Sequence, residues 1–223
     1  MATSIKILTY NIRHCEDAGL APSVIGRVIR STEADVVGIQ EVDLFTSRSL
    51  GQDQPRLLAE SAGMPYYLFT PAIDFDGGKY GTLVLSKFPI LSAEDIPLES
   101  CGFEQRMLCH AVIDAPFGKL DFFNTHLAYN AVSVRRQQIE QVQEALSRLP
   151  RYVLTGDFNT GDFGELEPLG NLVNNKDNLF PTFIATKDPI DNIICSPDIA
   201  VASARMIVPS HSDHYGLLAQ LEV

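Results

Sequence analysis

The stretch "SVRRQQIEQVQEALSRLPRYVLTGDFN", residues 133–159, joins three patterns whose order decides the fold. Val134, Ile139, Val142, Ala145, Leu146 and Leu149 recur at helical spacing, so the pattern predicts an amphipathic helix over 133–149. "RYVLTG" follows at once as a short strand. It runs into Asp157 and Asn159, an acid and an amide one residue apart. Asp and Asn make turns because their side chains bond nearby backbone. The same pair suits a site that holds a metal ion or a phosphate, and this stretch alone does not choose between the two.

Working outward, a hairpin is predicted at 105–127 around the turn "APFG". Earlier still, "YYLFT", "GTLVLS" and "ILSAEDIPL" are strand segments broken by "DGGK" and "KFP". The N-terminal part reads as strand 5–12, helix 22–31 opened by Pro22, strand 35–41 and a short helix 54–63 that stops at Gly63. After a loop-rich stretch come "IDNIICS", "AVASARMIV" and "YGLLAQLEV". Many strands with few helices, and no repeat or low-complexity linker, predict one domain over 1–223, built as two packed sheets covered by helices.

Composition narrows the function. The 223 residues are 45% hydrophobic and 20% charged, enough for a core without disulfides. Cys15, Cys101, Cys109 and Cys195 form neither CxxC pairs nor a regular framework, which suits a reducing compartment. "MATSIKILTYNIRH" lacks the pattern of a signal peptide, and no apolar run nears the roughly 18 residues of a membrane span. A cytoplasmic monomer is the expectation. Seventeen basic against twenty-eight acidic residues give a net charge of −11. No basic stripe is present, so a broad grip on duplex nucleic acid is disfavoured. A small phosphate ester held at a bound cation is compatible with that charge.

Polar residues recur where the predicted strands end: Asn11, Glu41, His126, Asp157 with Asn159, Asp191, and Asp213 with His214. Each has an ordinary explanation by itself. Asn11 can cap a turn, Glu41 can be a solvated strand end, His126 a satisfied core histidine, and Asp191 a paired acid. Asp213 and His214 can simply open the turn into the last strand. Their shared position at strand ends, where rigid scaffolds commonly present functional side chains, argues for a site.

Seven motifs in order, "LTYNIR", "GIQEVD", "YGTLVLSKFPI", "NTHL", "GDFN", "IDNI" and "SDH", resemble the endonuclease/exonuclease/phosphatase superfamily from residue 5 to the C-terminus. The resemblance implies an α+β, DNase I-like, four-layer α/β/β/α sandwich of two mixed sheets with helices outside. It also implies hydrolysis of a phosphate ester with Mg²⁺ or Mn²⁺. Glu41 matches the main metal ligand, with Asn11 and Asp213 in the same role. Asp157 matches the residue that activates water, and Asn159 a donor to the phosphate or the nucleophile. His214 matches the histidine facing the phosphate, Asp191 the carboxylate that orients it, and His126 a second donor.

Arg48 and Arg106 are candidates for substrate phosphate, since guanidinium suits bidentate contact; a structural ion pair is the competing reading for both. Tyr80 is read as pocket lining or core, and Arg135 and Gln138 as helix-cap or packing residues. A zinc site from His211, Asp213, His214 and His126 ranks below magnesium, because no cysteine is placed to complete it. The expected substrate is a small, lipid or sugar phosphate rather than duplex DNA, with monoester and diester both open. The alternatives are a DNA or RNA nuclease of the same fold and an inert binding domain, which would have lost one of Glu41, Asp157, Asp191 or His214.

Overall fold

The protein is described by a computed structural model covering residues 4–208 and 211–223. In chain order it begins with β1 (Ser4–Asn11), a 3-10 segment (Arg13–Ala18), α1 (Pro22–Thr32), β2 (Val36–Leu44) and α2 (Gln54–Ala62). Next come β3 (Tyr66–Phe75), β4 (Gly78–Ser86), β5 (Ile90–Leu98), β6 (Arg106–Ala115), β7 (Gly118–His126) and α3 (Val132–Ser147). The chain ends with β8 (Tyr152–Asp157), a four-residue α4 (Phe163–Leu166), a 3-10 turn (Glu167–Leu169), β9 (Asn171–Leu172), β10 (Asp191–Cys195), β11 (Ala200–Ile207) and β12 (Gly216–Glu222).

Local chemistry explains the helix ends. α1 starts on Pro22, whose missing N–H is no loss in a first turn. Asp53 caps α2 by accepting from the Arg56 backbone N–H at 3.0 Å, and Gly63 closes it in the left-handed region at φ 70°.

Two six-stranded mixed sheets result, in the orders β11-β12-β1-β2-β4-β3 and β5-β6-β7-β8-β10-β9. Each contains one parallel pair joined by a helix: β1 and β2 through α1, β7 and β8 through α3. Ile5, Ile7, Val36 and Leu217 of the first sheet meet Ala111, Phe122, Val153 and Ile193 of the second in the central core. The outer face of the first sheet packs Leu8, Val37 and Ile39 on Ile25 and Ile29 of α1 and Leu58 of α2. That of the second packs Phe123, Leu154 and Ile194 on Ile139, Val142 and Leu146 of α3. The layers are therefore α/β/β/α, as the motif resemblance implies.

Toward one edge the core becomes polar. Asn124 on β7 donates across the sheets to the Ile39 and Leu83 carbonyls, at 3.0 and 3.2 Å, and accepts from Gln40 at 2.7 Å. Thr155 also donates to Asn124, at 3.1 Å. A side chain at Gly38 would collide with Thr155 and Asn124, so glycine there permits this close approach. The network fixes one sheet against the other beneath the loops described next.

The structure differs from the sequence reading in two places. β2 does not stop at Glu41; a bulge between Ile39 and Val42 lets it continue to Leu44. Glu41 therefore sits on a kink inside a strand, with φ 58°. The stretch read as loop-rich holds α4, the following 3-10 turn and β9.

Candidate active site

Strand register assembles the candidate residues. His126 at the end of β7 lies beside Asp157 at the end of parallel β8, and Asp157 pairs with Asp191 at the start of antiparallel β10. Asn11 ends β1 beside Gln40, next to the bulged Glu41. The Asn11 Nδ2 group donates to Glu41 Oε1 and to Asp157 Oδ2, both at 3.0 Å. One amide thus bridges a carboxylate of each sheet. Its oxygen accepts from the Arg13 backbone N–H at 3.0 Å.

Asp157 is buried, with His126 Nε2 at 3.6 Å and His214 Nε2 at 3.8 Å from Oδ2, while its Oδ1 accepts from the Asn159 backbone at 3.0 Å. Burial and the neighbouring charge of Asp191 raise its carboxyl to about 7, against the lowering effect of His214 and Asn11. His214 Nδ1 donates to Asp191 Oδ2 at 2.7 Å. Burial would lower this imidazole, but Asp191, Asp157 and Asp213 outweigh it and push it up to about 10, so the ring is cationic. The ring lies against Phe183, tilted by 52° with centroids 5.0 Å apart.

The other histidine is opposite in character. Arg106 Nη1 donates to His126 Nδ1 at 3.1 Å, which places the imidazole proton on Nε2 toward Asp157. Burial and the Arg106 charge hold His126 well below its usual range, so it is a neutral donor. Arg106 is itself buried and paired with Glu104 at 3.0 Å.

Glu41 contrasts with Asp157. Burial alone would raise it, but the His14 ring beside it, the Asn11 bond and the cationic His214 ring lower it to about 2. Asp213 is half-buried and raised, chiefly by burial and then by the charge of Glu41; its Oδ2 lies 3.8 Å from Arg13 Nε. Asn159 sits at φ 53° and donates its side-chain amide to the Leu127 carbonyl at 3.0 Å. The structure thus brings Asn11, Glu41, His126, Asp157, Asn159, Asp191, Asp213 and His214 to one edge.

Arg48 is placed differently. Its Nε and Nη2 hold both oxygens of the buried Asp43 at 2.7 Å, and its guanidinium lies 4.4 Å over the Phe75 ring. Tyr80 is buried, with its hydroxyl raised well above the usual range by burial and by Glu41. Arg135 pairs with Glu165, and Gln138 bonds the Ala128 N–H and the Glu99 carbonyl, which are packing and capping roles.

Sequence reasoning missed Arg13 and His14. Both follow Asn11 directly in "NIRH", but their approach to Asp213 and Glu41 depends on a left-handed turn with φ 44° and 41°. Such a turn leaves no periodic signal.

Ligand atoms of Asp157, Asp191 and His214 lie within 4.8 Å of one another, close enough for one cation to bridge. The charged His214 ring, with its Nδ1–H committed to Asp191, makes this trio better suited to handling protons. The oxygen set of Glu41, Asn11 and Asp213 is the better fit to a hard divalent ion, since Glu41 stays ionised and Mg²⁺ is commonly held by one or two carboxylates plus water. Four of the polar partners needed for phosphate chemistry, an ionised acid, a near-neutral acid, a cationic imidazole and a neutral N–H donor, are then adjacent.

The sequence matches the model of the Endonuclease/Exonuclease/phosphatase family over residues 8–214. The chain belongs to that family. No curated protein matches it. Among solved structures, it is similar to an endonuclease/exonuclease/phosphatase from Beutenbergia cavernae, with TM-score 0.86, 22% identity, and coverage of 99% of this chain and 72% of that one. It is also similar to a mannosyl-6-phosphatase from Bacteroides thetaiotaomicron, with TM-score 0.74, 21% identity, and 98% and 100% coverage. D. rerio TDP2 complexed with a single-strand DNA product matches with TM-score 0.76, 19% identity, and 99% and 100% coverage. These likenesses establish the shared fold. Among the described residues no helix is long and apolar enough to cross a membrane.

Proposed function

We propose that the protein is a Mg²⁺- or Mn²⁺-dependent phosphoesterase acting on a small, sugar or lipid phosphate. The observation that carries this reading is the surroundings of Asp157 Oδ2: Asn11 Nδ2 at 3.0 Å, His126 Nε2 at 3.6 Å and His214 Nε2 at 3.8 Å. A carboxylate raised toward neutrality between two imidazole N–H groups is poised to take a proton from water while phosphate oxygens are held by those donors.

In this reading a water molecule, oriented by Asn159 and Asp157, attacks phosphorus. The new bond is water oxygen to phosphorus, the bond to the leaving oxygen breaks, and the water proton passes to Asp157. Cationic His214 and the Nε2–H of His126 donate to the phosphoryl oxygens. Asp191 keeps His214 charged and oriented, and Arg106 fixes the tautomer of His126. Glu41, Asn11 and Asp213 would hold the cation. A bound divalent ion supplies charge withdrawal from the phosphoryl oxygens and steadies the leaving oxygen.

Net charge −11 supports a small ester over a nucleic-acid duplex. The similarity to a mannosyl-6-phosphatase supports a sugar phosphate as one member of the panel to test. Arg48 contributes through Asp43 and leaves its remaining edge for an anion. We infer a cytoplasmic monomer, in keeping with four free cysteines.

The test is a panel of p-nitrophenyl phosphate, bis-p-nitrophenyl phosphate, hexose 6-phosphates, sphingomyelin, a supercoiled plasmid and an abasic oligonucleotide, each with Mg²⁺, Mn²⁺ or EDTA. Cation-dependent turnover of a small ester is expected. Cleavage confined to the plasmid or oligonucleotide would replace the small-ester reading with a nuclease. Turnover undiminished in EDTA would remove the cation from it.

A further inference from the structure

His14 has no part in the reading above, yet it faces the carboxylate that matters most to it. Its Nδ1 lies 3.8 Å from Glu41 Oε2, too far for a hydrogen bond. That Nδ1 is buried and has no hydrogen-bond partner. The opposite ring nitrogen, Nε2, faces the Glu16 carboxylate at 3.6 Å. Nδ1 therefore faces a carboxylate oxygen of Glu41 across a gap of 3.8 Å with no bond made. An imidazole nitrogen and a carboxylate oxygen that face each other unbonded in a buried place leave room for a cation between them.

The backbone supports a purpose for this arrangement. Arg13, His14 and Cys15 take φ of 44°, 41° and 65° in succession, and Glu41 itself has φ 58°. Non-glycine residues in the left-handed region persist where surroundings over-determine them, and they gather at functional sites. Here the surroundings do so: Gln54 donates to the His14 carbonyl at 2.8 Å and accepts from the Asp43 N–H at 2.9 Å, while Cys15 is buried in the core. α2 therefore braces the His14 turn and β2 beside Glu41 together.

We propose that His14 Nδ1 and Glu41 Oε2 bind the same divalent cation, so that the site contains an imidazole ligand. This rests on the cation-dependent reading above. Two donors each about 2.1 Å from one ion stand between roughly 3.0 Å apart at a right angle and roughly 4.2 Å apart when opposed, and 3.8 Å lies inside that range. The Glu16 carboxylate, itself paired with Arg13 Nε at 3.1 Å, lies 3.6 Å behind Nε2, on the side where a metal-bound histidine takes its outer partner. A nitrogen ligand also changes selectivity: imidazole suits transition ions, whereas Mg²⁺ prefers oxygen. The site then favours Mn²⁺ over Mg²⁺.

The test is Mn²⁺ binding to the whole chain, read by calorimetry and by pulsed electron paramagnetic resonance, which detects a nitrogen coordinated to manganese. Wild type is expected to show nitrogen coupling and to bind Mn²⁺ about 10-fold or more tightly than Mg²⁺. His14→Asn, chosen because asparagine tolerates the left-handed turn, should bind Mn²⁺ without nitrogen coupling and lose most of that preference. His126→Gln should keep both. A wild-type spectrum without nitrogen coupling, or coupling that survives in His14→Asn, overturns the assignment of His14 while leaving a cation site at Glu41. Failure of wild type to bind Mn²⁺ at all overturns both this proposal and the cation-dependent reading.

Discussion

Glu41 and Asp157 share one amide and end up as different acids. Each accepts from Asn11 Nδ2 at 3.0 Å, Glu41 from the first sheet and Asp157 from the second. The Glu41 side chain keeps 24% of its surface open and has imidazoles around it, whereas Asp157 keeps 2% and has Asp191 as its strand neighbour. The first is held at about 2 and the second is raised to about 7. A shared hydrogen bond therefore does not decide the chemistry; burial and the sign of the nearest charges do. The pair separates a permanently ionised carboxylate from one that can exchange a proton near neutrality.

The largest expected effect breaks that pair apart. Asp157→Asn should lower kcat by about 10²–10⁴-fold, the contribution of a positioned base, while keeping Mn²⁺ affinity. Glu41→Gln should lose cation affinity instead. Steady-state kinetics and calorimetry on both variants check this, and identical losses in the two would mean that the carboxylates are not specialised. The sign of the stability effect is also distinctive. A carboxyl raised in the folded state weakens the fold increasingly as pH rises from its unfolded value near 3.8 to its folded value near 7, and not below 3.8. Asp157→Asn should therefore raise the melting temperature in EDTA at pH 8 and leave it unchanged at pH 4.

Asp43, close in sequence to Glu41, sharpens the comparison as an acid committed to structure. It is fully buried, and Arg48, Thr46 and Ser49 all donate to it at 2.6–2.7 Å. Arg48→Met leaves that charge buried and short of its main partner, which should cost about 3–5 kcal/mol in urea denaturation. The double variant Arg48→Met with Asp43→Asn should recover part of the loss. Recovery of nothing would show that Arg48 acts mainly through Phe75 and Tyr80.

Arg106 gives a smaller effect. Arg106→Met removes the donor that keeps the His126 proton on Nε2. A fall in kcat on the order of 10-fold is expected, the scale of one weakened bond to a charged group. Nitrogen NMR of His126 should then show mixed tautomers, whereas an unchanged Nε2–H signal would assign the tautomer to Asp157 rather than to Arg106.

How much of this was legible follows from what each residue depends on. The strands and long helices were visible because they bury continuous or periodic apolar faces, as Val134 through Leu146 do along α3. The site residues at strand ends were visible because the strands were. Glu41 was found, but its bulge was not, since a register shift depends on the partner strand β4. His14 and Arg13 escaped for a related reason: only contacts with Gln54, Asp213 and Glu41 give their turn meaning. α4 is four residues long, too short for one full apolar repeat to register. The commitment of Arg48 to Asp43 was open in the sequence because an arginine near a phosphate site and one in an ion pair look alike.

Glu165 supplies the weakest effect and the opposite sign to Asp157. Its side chain is 10% exposed and lies between Arg136 at 3.0 Å and Arg135 at 3.3 Å, tying α4 to α3. Burial raises its carboxyl, but Arg136, Thr160 and Arg135 outweigh burial and lower it from 4.5. A depressed folded value contributes stability that is fully present above the unfolded value and disappears as pH falls through the folded one. Glu165→Gln should therefore cost about 1–2 kcal/mol at pH 7 and progressively less as pH falls through the depressed folded value, measured by urea denaturation from pH 7 to pH 3. Since Glu165 lies outside the candidate site, kcat at pH 7 should stay within a factor of two (about 0.4 kcal/mol) of wild type. A loss of stability that persists undiminished at pH 3 would mean that Glu165 acts by packing rather than by charge. The contrast with Asp157 would then rest on burial alone, and no longer on the neighbouring charges that distinguish the two acids.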